Sequence, residues 1–138
     1  MKKYLSLITL ILTTYTYAQN LKPEGYWDIQ NISNPKVSPN GEKVLFTKRY
    51  IDKINDSFIT EIWLMDVDGD NKRLFTDGSN AKWSPDGEKV AFTKADDNDK
   101  SQLFLKFMLS DIETKITNSD KPIEDFAPIN INNDIYKK

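Results

Sequence analysis

Two stretches of the chain alternate apolar and polar side chains with a period of two, and they do so in nearly the same letters. After the turn Ser38-Pro39-Asn40-Gly41, Val44 and Phe46 point to one face while Lys43 and Thr47 point to the other. After Ser84-Pro85-Asp86-Gly87, Val90 and Phe92 oppose Lys89 and Thr93 in the same way. A period of two marks a β-strand, in contrast to the 3.6 of a helix. In each turn proline fixes φ at the first central position, Asn or Asp suits the second, and glycine accepts positive φ at the exit. Each stretch therefore reads as a strand, a tight turn and a second strand. A third strand is expected from Phe58 to Asp66, where β-branched and aromatic residues crowd before the turn Asp68-Gly69. A short fourth follows over Lys72-Arg73-Leu74-Phe75-Thr76, and Asp77-Gly78 leads into the second copy. That copy continues with Gln102 to Leu109 and a weaker fourth strand over Thr114 to Thr117. The charged stretches Asp52 to Asp56 and Ala95 to Lys100 are the loops between strands two and three, on the surface as loops must be.

The similarity of the two stretches is itself informative. Ser33 to Lys48 and Ser79 to Lys94 are identical at twelve of sixteen aligned positions, at a fixed offset of 46 residues. Four strands repeated at that period describe a β-propeller blade. The chain is therefore expected to be all-β: a partial β-propeller of about two four-stranded blades plus the start of a third. Residues 33–78 form the first blade, 79–124 the second, and 125–138 a degenerate or truncated start of the next. The expected third SP-N/D-G turn is replaced by Pro128-Ile129-Asn130-Ile131-Asn132-Asn133-Asp134. Ahead of the first copy, residues 19–32 form an N-terminal segment in which Pro23 to Ile29 can make one helical turn, with proline near its start.

Residues 1–18 fall outside this pattern. Lys2 and Lys3 precede an apolar run from Leu5 to Leu12, and Thr16-Tyr17-Ala18 offers a small-x-small exit. This is the layout of a secretory signal peptide cleaved after Ala18. Interrupted by Thr9, Thr13 and Thr14, the run is too short for the roughly 20 apolar residues a bilayer span requires. The mature chain is expected to be exported, to the periplasm or beyond, with no membrane attachment after the signal is removed. With no cysteine anywhere, it has neither a lipoprotein anchor site nor a disulfide framework.

Charge and candidate chemistry narrow the picture further. The net charge of −2 becomes more acidic once Lys2 and Lys3 leave with the signal, and no basic patch interleaves with aromatics, which argues against nucleic acid as a partner. Asp66, Asp68 and Asp70 alternate carboxylates as a calcium loop does. Counting from Asp66, however, the sixth position is Asn71 where an EF-hand loop needs glycine, and the twelfth is Asp77 rather than glutamate. A polar hairpin tip is the expected reading, with no metal and no cofactor. Trp27, Trp63 and Trp83 with Phe46, Phe92 and Phe104 are expected to pack blade against blade rather than to line a ligand surface. Ser38 and Ser84 read as turn-initiating serines, since the chain contains no histidine to activate a nucleophile.

The residues assembled so far resemble the amino-terminal part of a secreted prolyl-oligopeptidase-family serine peptidase (peptidase family S9), of the acylaminoacyl- and dipeptidyl-peptidase type. The resemblance is carried by Lys22-Pro23-Glu24, by Ile32-Ser33-Asn34-Pro35-Lys36-Val37-Ser38-Pro39-Asn40-Gly41-Glu42-Lys43-Val44, by Glu61 to Asp66, and by Ala81-Lys82-Trp83-Ser84-Pro85-Asp86-Gly87. It extends over residues 21–127. It implies a propeller that lies as a lid over an α/β-hydrolase domain and restricts access to small peptides. In that family a serine in a G-x-S-x-G elbow, an aspartate and a histidine perform the chemistry. With no histidine and no G-x-S-x-G, the chain matches none of these, so no catalytic or substrate-binding residue carries over and it is expected not to hydrolyse peptides by itself. Its expected partner is the hydrolase domain of such a parent, and open blade edges invite self-association. The alternative is a periplasmic TolB-like propeller module that holds a protein partner, since such propellers share the WSPDG turn.

Overall fold

The computed structural model describes Gly25, residues 29–110 and residues 112–127. The proposed signal segment with Ala18, the helical turn before Ile29, Trp27 and residues 128–138 lie outside the described residues. Eight strands follow one another: β1 (Asn31–Val37), β2 (Lys43–Asp52), β3 (Ser57–Asp66), β4 (Arg73–Asp77), β5 (Ser79–Trp83), β6 (Lys89–Ala95), β7 (Ser101–Phe107) and β8 (Glu113–Lys115). They form two four-stranded antiparallel sheets, β1-β2-β3-β4 and β5-β6-β7-β8, each strand beside its sequence neighbour. The expected strands are all present, with small changes at their ends. The last long strand stops at Phe107 because Met108 and Leu109 turn away, and β8 is three residues where four were expected.

The duplicated motif folds twice into the same turn. The Ser38 Oγ accepts the Lys43 N–H at 2.9 Å, the Ser38 carbonyl accepts the Gly41 N–H, and Gly41 sits at φ +77°. In the second copy the Ser84 Oγ accepts the Lys89 N–H at 3.0 Å, and Gly87 sits at +72°. The serine oxygen thus closes each hairpin from inside, which is why both serines are buried beside a proline turn. The repeat also encodes a defect. Asn34 and Asn80 hold φ of +53° and +54°, and the register slips between Ser33 and Lys36 in one sheet and between Ser79 and Lys82 in the other. Asparagine tolerates the left-handed region better than most residues, so the shared Ser-Asn places one β-bulge at the same point of both sheets.

The strands were expected to show one apolar and one polar face. Instead both faces of the sheets hold buried residues. In the first sheet Leu45, Ile62 and Leu64 face the second sheet; in the second, Val90 and Phe92 face the first. Joined by Phe75 and Ala81, and flanked by Trp83, Phe104 and Met108, they make the principal core. Val44 and Phe46, the repeat equivalents of Val90 and Phe92, therefore point away from this core, and Ala91, the equivalent of Leu45, points away from it on the other side. The two sheets stack like consecutive cards, each presenting the same face in the same direction.

Residues 116–127 run across the far face of the second sheet. Ile123 and Phe126 pack on Ala91, Leu103 and Leu105. Gln102, fully buried, anchors this segment: its Nε2 donates to the Ser119 carbonyl at 2.8 Å, while its Oε1 accepts from the Thr117 hydroxyl and the Ser119 N–H. The link between the sheets is tighter still. Gly78 lies at φ +131°, and a Cβ there would meet the Thr93 carbonyl oxygen at 2.5 Å and the Phe92 ring at 3.2 Å.

Phe92 is fully buried and stacks on Phe104 with ring centroids 6.0 Å apart. Phe92→Ala is expected to destabilise the fold by about 3–5 kcal/mol, read as a lower urea midpoint or as loss of the cooperative transition. An unchanged midpoint would remove the inter-sheet core as the source of stability.

Candidate functional site

A chain built of stacked sheets acts through its faces and seams, so these are the places where chemistry collects. The seam between the two sheets is polar at its outer margin. Lys94 on β6 reaches back to Asp77, at the end of β4, with Nζ 2.9 Å from Oδ1, and also to Glu113 on β8 at 3.2 Å. Glu113 accepts the Thr76 hydroxyl and lies 3.6 Å from the Lys106 Nζ. Lys106, on the buried side of β7, donates to the Phe75 carbonyl at 2.9 Å and lies over the Phe75 ring at 5.1 Å. Two lysines of the second sheet thus hold the fourth strand of the first. Each buried amine has oxygen partners, as a charge taken from water must.

The inner margin of the seam is set by Trp83, whose Nε1 donates to the Lys36 carbonyl at 2.9 Å and so links β5 to β1. A comparable link joins β5 to the following segment. Lys82 pairs with Asp125 at 2.6 Å and donates to the Phe126 carbonyl, and Asn80 Nδ2 donates to the Glu124 carbonyl at 3.0 Å. Residues 124–126 therefore lie beside β5 much as β5 lies beside β1.

The outward face of the first sheet carries a different arrangement. Glu61 accepts the Tyr50 hydroxyl and the Trp63 Nε1, both at 2.8 Å, and Lys48 lies over both rings at 5.0 and 4.8 Å. The Glu61 carboxylate holds the Tyr50 hydroxyl proton and raises the phenol above its ordinary pKa, burial adding to the effect. At the rim of this face Ile32, Val37 and Leu74 are exposed at 66%, 58% and 48%. Its counterpart in the second sheet is the face that packs into the core, so the same repeat surface is covered in one copy and rimmed by exposed aliphatic residues in the other.

Asp66, Asp68 and Asp70 occupy the β3–β4 turn. The Asp66 oxygens accept from Lys43 Nζ at 2.8 Å and from Asn71 Nδ2 at 2.6 Å, and Asp68 Oδ1 accepts the Asp70 N–H at 3.0 Å. The Asn71 amide, with Lys43 beside it, lowers the Asp66 pKa. Among the described residues no three His, Cys, Asp or Glu side chains gather as a metal site would require. Ser38 and Ser84 close turns, and Trp83, Phe92 and Phe104 line the inter-sheet core. Trp63 lies on the outward face and Phe46 is buried within it. Sequence reading missed Lys106, Glu113 and Gln102. Glu113 and Lys106 stand on paired strands at Glu113↔Lys106, but nothing in the letters places that pair against Phe75 and Thr76.

Among the described residues no helix is long and apolar enough to cross a membrane. The architecture just described, consecutive four-stranded meanders stacked face to face, is that of β-propeller blades. No family profile and no curated protein sequence matches the chain. Solved structures do share its fold. Acylaminoacyl peptidase from Pyrococcus horikoshii superposes with a TM-score of 0.59 at 17% identity, over 68% of this chain and 15% of that one. The β-propeller domain of the Trilobed protease from Pyrococcus furiosus, described as having an open velcro topology, gives 0.59 at 20% identity, over 67% and 28%. TolB from Acinetobacter baumannii gives 0.50 at 20% identity, over 64% and 22%. The chain spans 15–28% of the length of these structures.

The seam has a defined pH response. Burial is the largest single influence on Asp77 and opposes its ionisation, but the Lys94 hydrogen bond and charge, its own backbone N–H and the Thr76 hydroxyl together outweigh it, and the carboxyl pKa falls below its ordinary value. Burial likewise opposes the Lys94 charge, yet Asp77 and Glu113 outweigh it and raise the amine. A lowered acid stabilises the fold above its unfolded pKa of about 3.9 and stops doing so as pH falls below it; a raised amine stabilises below about 10.4 and stops doing so as pH rises through its folded value. The stability lost in Lys94→Met is expected to be about 1 kcal/mol or less, greatest from about pH 5 to 9.5 and shrinking on both flanks. Urea midpoints of both proteins from about pH 3 to about pH 11, spanning the plateau and both flanks, check this, and a difference that stayed constant over that whole span would remove the ion pairs from the seam's stability.

Proposed function

We propose that this chain is the opening part of an exported β-propeller that gates an α/β-hydrolase serine peptidase of the prolyl-oligopeptidase type. The observation that carries the reading is a conjunction. The stacked two-sheet fold is shared with acylaminoacyl peptidase, and the sequence from Lys22-Pro23-Glu24 to Val44, which runs into its first two strands, resembles in its letters the start of that family's propeller. The role is structural: stacked blades form a wall that admits small peptides and excludes folded protein. Hydrolysis belongs to the partner domain, for a Ser–His mechanism needs a histidine and this sequence contains none. The TolB-like binding module is the second reading, less favoured because TolB superposes at 0.50 against 0.59 for the peptidases. Export rests on the segment ending at Ala18, which directs the mature chain to the periplasm or the medium.

The test is the genomic reading frame beyond codon 138, in any phase. Further strand–SPDG–strand copies, then a G-x-S-x-G, an aspartate and a histidine in that order, are expected. Their absence, or a terminator followed by an unrelated gene, removes the peptidase reading and leaves the binding module. Edman sequencing of the chain recovered from the extracytoplasmic fraction is expected to begin at Gln19, and recovery of intact Met1 in the cytoplasm overturns export.

A further inference from the structure

The β2–β3 hairpin is longer than its repeat counterpart: β2 and β3 have ten residues each, β6 and β7 seven. Its far end therefore overhangs the matching end of the β6–β7 hairpin by three paired positions. On the face that nearer the core carries Leu45 and Ile62, this overhang presents Arg49, Ile51, Phe58 and Thr60, and beside them opens a cleft of about 370 Å³. We infer that this cleft is a carboxylate-binding site, with Arg49 as the group that receives the anion.

Three observations support it. First, the Arg49 guanidinium stacks on the Phe58 ring, 4.0 Å from its centroid, and makes no hydrogen bond or ion pair with any described residue. Stacking fixes the plane of the fork while leaving its N–H edge free, and that edge matches the two oxygens of a carboxylate. Second, Asn31 and Thr60 are the cross-strand neighbours of Arg49 on either side, and Ser33 and Thr47 line the same cleft, so hydroxyl and amide groups flank the guanidinium's strand position. Third, Arg49 is the one cation among the described lining residues, which balances a single negative charge rather than a phosphate dianion.

The other wall is apolar. Ile51 and Phe58 are a directly opposed cross-strand pair, and Ile29 joins them at the cleft. Phe58 is left 59% exposed, a large aromatic surface that a bound apolar group would cover. The ligand class is accordingly a carboxylate with an apolar substituent next to it. Such a group occurs at the C-terminus of a peptide ending in an aliphatic residue, and equally as an acidic side chain beside an aliphatic one in a protein loop. Neither source requires the peptidase reading above, and the site stands or falls without it.

Nuclear magnetic resonance titration of the isotope-labelled full chain tests the site. N-acetyl-leucine is expected to shift the amide signals of Thr47, Arg49 and Thr60 saturably, and N-acetyl-leucinamide to bind at least about tenfold more weakly, since a charge-assisted hydrogen bond is lost. Arg49→Gln is expected to abolish the difference. Equal responses to acid and amide in the unaltered chain, or no saturable shift, overturn the site even if Arg49→Gln fails to fold. N-acetyl-leucyl-leucine against N-acetyl-aspartyl-leucinamide then separates the sources: the tighter ligand names a chain terminus or a side chain, and binding of neither overturns the proposal.

Discussion

Burial of both faces is the constraint on which everything else in this chain depends. A four-stranded meander with Leu45 and Ile62 on one face and Phe46 on the other cannot cover itself, because side chains along a strand alternate and each face then needs its own cover. Stacking on a second sheet covers one face of each and leaves two faces over. One is crossed by residues 116–127, with Ile123 and Phe126 as the apolar contacts. The other is closed in part by its own furniture, Lys48 lying across Tyr50 and Trp63 with Glu61 taking up both polar hydrogens.

Seen this way, the polar residues of the seams are consequences of stacking. Lys94, Lys106 and Glu113 stand where the margin of one sheet meets the fourth strand of the other, and Gln102 where the exit segment departs. Each has its partners: Lys106 and Gln102 donate to the Phe75 and Ser119 carbonyls, Lys94 to the Asp77 and Glu113 carboxylates, and Glu113 accepts from Thr76 and pairs with both lysines. Such contacts add modestly to stability. Their larger effect is to fix which sheet lies on which and at what offset, because a slipped stack would strand a charge or an amide without a partner.

Much of the architecture was legible because it is local and because it is written twice. Proline, Asn or Asp, and glycine at fixed spacing dictate a turn whatever surrounds it, and the structure forms both turns with the serine inside. The repeat offset then ordered the sheets. Two things were not legible. Alternation separates the faces of a strand but does not say whether the second face meets water, so Thr47, Thr93 and Lys89 read as solvent-facing and are buried. The seam partners also escaped, since Lys106 touches Phe75 across 31 positions of sequence and no spacing rule reaches that far. The candidate cleft was equally silent: Arg49 and Phe58 become neighbours only when β2 and β3 pair in register.

Gly78 carries one more implication. The step from the first sheet to the second passes so close to Thr93 that a single methyl group would not fit, which makes the pitch of that step a property of one absent atom. At the offset of 46 residues that relates the two copies, the place of Gly78 at the end of the first is taken at the end of the second by Glu124, which carries the Cβ that Gly78 lacks. The second step cannot repeat the geometry of the first. Duplication has copied the sheets, but the pitch between them is written separately at each junction, so a stack of such sheets acquires its curvature from its connectors rather than from its repeats.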